Sequence, residues 1–170
     1  MISLFRKGAL AAAFATVLVA GLVMAPSAEA QGSDPESAAE SGSGPVWSGE
    51  RITFTKADGA DPTAPENQDR ITENVWITRG NDGGQIFNIN ARDDFDKAAS
   101  PVGTLWAVGT TDDLPNLDFA PFREAVGSPR TVAGKDLVMY LVEEQAYVDV
   151  RFVSWSKQKK GGFSYERSTR

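Results

Sequence analysis

The run Leu137-Val-Met-Tyr-Leu-Val142, followed by Tyr147-Val-Asp-Val-Arg-Phe152 and by Gly162-Phe-Ser-Tyr-Glu-Arg-Ser168, decides how this chain folds. Successive side chains of a strand point to opposite faces, so a run as apolar as 137–142 needs cover on both faces, as a central strand has. The next run alternates. Val148, Val150 and Phe152 share a face that points to a core, and counting by twos puts Tyr147, Asp149, Arg151 and Trp155 on the other. Glu143-Glu-Gln-Ala146 is the turn between these runs, and Lys157-Gln-Lys-Lys-Gly-Gly162 turns the chain into the third, where Phe163 and Tyr165 share a face. An antiparallel meander therefore closes the chain.

Working outward, the same period-two pattern of Val, Ile, Thr and aromatics, bounded by Gly, Pro, Asn and Asp, recurs at 46–56, 71–78, 85–90 and 104–110. With 136–142, 147–156 and 162–168 this makes about seven strands. No long amphipathic helix separates them. The expected fold is all-β and mainly antiparallel, a β-sandwich or flattened barrel, with one or two short helices. The helices are predicted at 92–99 and at 116–126, where Leu117, Phe119, Phe122 and Val126 fall near helical spacing and Pro121 suits a first turn.

The first 45 residues read differently. Arg6 and Lys7, an apolar stretch from Gly8 to Met24 and the small-residue segment Pro26-Ser-Ala-Glu-Ala30 make residues 1–30 a secretory signal peptide, with cleavage expected after Ala30. Residues 31–45, QGSDPESAAESGSGP, hold no large apolar side chain to offset their ordering entropy and read as a disordered linker. Residues 46–170 form the β-sandwich module. The expected product is secreted, periplasmic or held at the cell surface, with no membrane insertion once the signal is cleaved.

Composition excludes whole classes of chemistry. The chain of 170 residues has no Cys and no His, so it has no disulfide framework, no thiol nucleophile, no Cys/His zinc site and no Ser-His-Asp relay. With 23 Asp and Glu against 17 Lys and Arg, its net charge of −6 argues against a nucleic-acid partner, which is held largely by cations on phosphates. Lys157, Lys159 and Lys160 read as a solvated hairpin tip rather than part of a basic track.

Two groups of residues carry candidate sites. Asp58, Asp61, Asn67 and Asp69 gather hard oxygen donors in one strand connection, the donor type Ca²⁺ takes, so calcium is the candidate cofactor. The spacing is not that of an EF-hand loop, and the alternative is a turn in which Asp and Asn bond their own backbone and Arg70 pairs with a loop carboxylate. The second group is Trp76, Tyr147, Asp149, Arg151 and Trp155. Ile71, Val75 and Ile77 share a face that leaves Trp76 on the polar side, and similar counting sets Trp47 opposite Ile52 and Phe54. Aromatics flanked by Asp and Arg are what a sugar-binding face uses; packing under a loop or helix is the competing role for such rings. Glu73, Asp149 and Glu166 are the strand carboxylates that a paired hydrolytic mechanism would need, and pairing of Asp149 with Arg151 or Arg167 is the structural default.

The segments Ile52-Thr-Phe-Thr-Lys-Ala-Asp-Gly-Ala-Asp-Pro62, Glu66-Asn-Gln-Asp-Arg-Ile-Thr-Glu-Asn-Val-Trp-Ile-Thr-Arg-Gly80, Gly103-Thr-Leu-Trp-Ala-Val-Gly-Thr-Thr111 and Gly162-Phe-Ser-Tyr-Glu-Arg-Ser-Thr169 resemble an uncharacterised β-rich module of exported bacterial proteins. The likeness spans nearly all of Trp47 to Thr169. It implies export on a secreted or surface protein and carries over no catalytic residue. Residues and resemblance together lead to three expectations: a non-enzymatic module that binds a glycan or surface protein outside the cytoplasm, a structural or adhesive surface module with no small ligand, or a carboxylate-dependent hydrolase.

Overall fold

In the computed structural model the described residues are 44–170, so the expected signal peptide and all of the expected linker except Gly44 and Pro45 lie outside them. The described chain is all-β and mainly antiparallel, with two sheets. The run 136–142 is the central strand it was expected to be: β7 (Asp136–Leu141) pairs antiparallel with β6 (Thr104–Val108) on one side and β8 (Ala146–Trp155) on the other. The meander continues through β9 (Phe163–Ser168), whose far edge takes β2 (Arg51–Lys56), while β1 (Val46–Trp47) lies parallel to the start of β8. A smaller sheet is formed by β3 (Asp69–Arg70), β4 (Trp76–Arg79) and β5 (Ile86–Asn88).

Both faces of β7 are covered, as its composition demands. On one, Leu137, Met139 and Leu141 join Val148, Val150 and Phe152 in a core that includes Val75, Ile77 and Ile86 from the small sheet and its connections, and Phe122 and Val126 from α1 (Phe122–Val126). Trp106 is wholly buried there, its ring 5.1 Å edge-on from Phe122 and its indole N–H donated to Thr104 Oγ1 at 2.9 Å. On the other face Val138, Tyr140 and Tyr147 pack with Leu105 and Ala107 beneath Leu114, Leu117 and Phe119. No helix of the described residues is long and apolar enough to cross a membrane.

Several expected elements break, each for a local reason. The strand expected at 46–56 becomes β1 and β2, which pair with different partners; the break at Ser48-Gly-Glu50 resets the alternation, so Trp47 and Phe54, expected on opposite sides, pack on the same core. The strand expected at 71–78 is a hairpin, because the amides of Ile71 and Thr72 both reach Val75 O and Thr72 Oγ1 accepts from the amides of Asn74 and Val75, closing a turn. Residues 92–99 are not helical: Asp94 and Asp96 accept from the nearby amides of Phe95 and Ala98, and the buried Gln85 Nε2 donates to the carbonyls of Asp96 and Ala99. The helix expected at 116–126 shortens to α1, after a 3₁₀ segment (Thr111–Asn116) and an extended bridge from Ala120 to Trp106.

The hairpin tip between β8 and β9 is pressed against the end of the small sheet. Gly161 has φ +76°, and a Cβ there would lie 2.8 Å from Gly80 O and run into Asn81 Oδ1. Gly134 has a similar φ of +86° but open space around it. Gly161→Ala is therefore expected to lower stability by about 2–4 kcal/mol, and Gly134→Ala by only about 1 kcal/mol, as read from urea unfolding.

Candidate functional site

The structure separates the residues that alternation grouped as a binding face. Between Phe152 and Ser154 the β8–β9 register slips by one residue, so Phe152 faces Tyr165, Ser154 faces Ser164 and Trp155 faces Phe163. This bulge leaves Val153 52% exposed and rotates Trp155 to the core side, where it is 8% exposed and packs on Phe122, Phe152 and Phe163. Tyr147 is buried as well, its tilted ring centred 4.9 Å from that of Tyr140 and 5.5 Å from that of Phe119. Asp149 accepts from the amide and hydroxyl of Thr111 at 2.9 and 2.8 Å, which anchors the 3₁₀ segment to the sheet. Arg151 pairs with Asp136 at 2.6 Å. Trp76 lies on the small sheet, under the Arg70 guanidinium 4.1 Å from its ring centre, with its N–H on Thr72 O. The five do not form one open aromatic face.

The acidic connection is neutralised residue by residue. Asp61 takes the amide and hydroxyl of Thr63, both at 2.8 Å, and Asn67 donates to Asp61 O. Asp58 lies 3.6 Å from Lys160. Asp69 leaves this loop altogether: it is buried and receives Arg167 Nε at 2.7 Å, Arg167 Nη2 at 2.8 Å and the Tyr165 hydroxyl at 2.6 Å. Arg70, expected on a loop carboxylate, instead donates to Gln68 Oε1. Among the described residues no three acidic side chains converge.

The Asp69 cluster ties β3 to β9. Burial, reinforced by the Asp69 charge, holds the Tyr165 phenol well above its ordinary value, so it stays a donor. Burial opposes the charge on Arg167, but the Asp69 bonds outweigh it and raise that guanidinium.

A second buried cation was not singled out in the sequence. Ile77 and Arg79 share the inner face of β4, and Arg79 is 2% exposed. Its guanidinium lies 4.0 Å over the Trp155 ring. Nε donates to Gly84 O at 3.3 Å and Nη1 to the carbonyls of Ser156 and Gly162, both at 3.0 Å. Lys56, 1% exposed, reaches Asn81 Oδ1 at 3.0 Å beside the same hairpin tip. Neither has a carboxylate partner within ion-pair distance among the described residues. Burial lowers Arg79 to about 10, against a smaller opposing pull from Asp58. Burial and the Arg79 charge lower Lys56, against Asp58 and Asp61. The acidic loop thus offsets only part of the burial cost of two cations.

Arg79 and Trp155 also floor a cleft of about 500 Å³. Its walls come from the β4–β5 turn with Asp82, from Lys97, from Arg123 of α1, from Arg130, and from Lys157 and Lys159 on the hairpin tip. No sequence signal marks it, since its cations are scattered from 79 to 159.

The Ser156 hydroxyl, ahead of Lys160, holds the Asp58 carboxyl below its ordinary value, and the Thr63 amide and hydroxyl do the same for Asp61. A carboxylate depressed in the folded chain stabilises it above its unfolded pKa and loses that contribution as pH falls through the folded value. The melting temperature is expected to hold down to about pH 4 and fall below it, more steeply in the wild type than in an Asp58→Asn, Asp61→Asn variant. At neutral pH, Ca²⁺ and chelator should leave it equal.

No protein-family model, no curated protein and no solved structure matches the chain.

Proposed function

We propose that the chain is an exported, non-enzymatic β-sandwich module that binds a ligand outside the cytoplasm, in the cleft above Arg79 and Trp155. The observation that carries this reading is the convergence of separate segments, β4 and its turn, the loop with Lys97, α1, the turn with Arg130 and the β8–β9 tip, around one buried guanidinium. Binding sites are commonly loops held by a rigid scaffold, and this cleft lies at the end of the two packed sheets. Export rests on the basic, apolar and small-residue segments of 1–30. The binding role rests on the lining, which offers cations and one carboxylate, Asp82. The carboxylates a paired hydrolytic mechanism would use lie apart from it: Glu73 is in the β3–β4 turn, Asp149 holds Thr111, and Glu166 faces Arg151 across β8 and β9.

The structural or adhesive alternative draws on β2, an edge strand with Arg51, Ile52 and Thr53 exposed along it. Thermal-shift screening of the full chain against neutral saccharides, amines and small anions separates the two. At least one compound should stabilise the protein saturably, and Lys159→Glu should weaken its binding. A chain that no compound stabilises, and that assembles with concentration in light scattering, would favour the alternative.

A further inference from the structure

We propose that the occupant of this cleft, on the reading just given, is a compact molecule carrying at least two oxyanion groups, phosphate, sulfate or carboxylate. In a chain with 17 basic residues and a net charge of −6, six of the basic side chains, Arg79, Lys97, Arg123, Arg130, Lys157 and Lys159, line one cleft against a single carboxylate, Asp82. None of the six is in an ion pair among the described residues, although acidic side chains outnumber basic ones in the chain. Like charges facing a common space repel, and in an otherwise acidic molecule they focus a positive potential there.

Arg79 adds a built element to this field. Its Nε and Nη1 are fixed by three carbonyls and Trp155 covers a face of its plane, while Nη2 donates to no atom of the described residues. It is a buried cation whose bonds are all to neutral oxygens, an arrangement that an anion entering the cleft completes. The remaining cations stand on different walls: Arg123 and Arg130 on the α1 side, Lys157 and Lys159 on the hairpin tip, and Lys97 on its own loop. One oxyanion cannot neutralise all of them, so the ligand carries two or more. A neutral sugar or a nucleobase would want an open ring to stack on, but Trp155 is packed on three aromatics and capped by Arg79. The volume of about 500 Å³ suits a small molecule rather than a folded partner.

The test is calorimetry on the full chain with inorganic tripolyphosphate, a disulfated disaccharide and citrate, beside a neutral disaccharide and a diamine. At least one of the three anions should bind with one-to-one stoichiometry, and binding should weaken several-fold between about 50 and about 200 mM salt. The arm that binds tells phosphate, sulfate and carboxylate apart. The surface variant Arg130→Glu, Lys159→Glu should weaken the anion at least about tenfold with an unchanged circular dichroism spectrum. Arg79→Lys should weaken it too, and the surface variant decides if Arg79→Lys fails to fold. Anions that bind the charge-reversed variant as tightly as the wild type would overturn the site. Binding only of the neutral or cationic compound would overturn the anion chemistry and leave the binding reading standing. Silence in every arm would overturn both.

Discussion

One buried ion pair sets the relation between the two sheets. Asp69 comes from a two-residue strand with little apolar surface of its own, yet its carboxylate takes two N–H groups of Arg167 and the hydroxyl of Tyr165 in the interior. Bringing both charges out of water is costly, and the bidentate geometry with a third donor offsets that cost only when β3 lies in one position against β9. The burial of Ile77 and Ile86 against the main core is non-directional, whereas the ion pair has a fixed geometry. It acts mainly as a register pin.

From that pin the cleft follows. Asp69 is the cross-strand partner of Ile77, which precedes Arg79 by two residues on the same face. Fixing β3 against β9 therefore aims Arg79 at the opposite end of the interface, over Trp155 and under the β8–β9 tip. There the acidic loop partly offsets the burial of Lys56 and Arg79 from one side, while the cleft opens on the other with cations that no carboxylate among the described residues pairs. The chain is acidic as a whole, yet six of its basic side chains gather around this cleft.

The meander was legible because burial on both faces of β7 leaves a continuous apolar run, and burial on one face of β8 leaves alternation at Val148, Val150 and Phe152. Alternation fails where the backbone departs from it without changing composition. The slip at Val153 turns Trp155 inward, and nothing in Phe-Val-Ser-Trp announces it. Tyr147 was placed correctly by parity, but the face it shares with Tyr140 is roofed by residues 114–119, so a side that reads as polar is a second core. The acidic loop was visible as composition only. Its electrostatic role needed Lys56, Arg79 and Lys160, and Asp69 needed an arginine 98 residues away, pairings that leave no local periodic trace.

The most direct test of the central claim is a double-mutant cycle on Asp69→Asn and Arg167→Met, read by urea unfolding. Each single change strands the other buried group and should cost about 3–5 kcal/mol. The double variant should recover at least about 2 kcal/mol relative to the sum of the singles. Losses that add, or singles that cost less than about 1 kcal/mol, would show that the apolar interface alone fixes the small sheet and that the pair does not set its register.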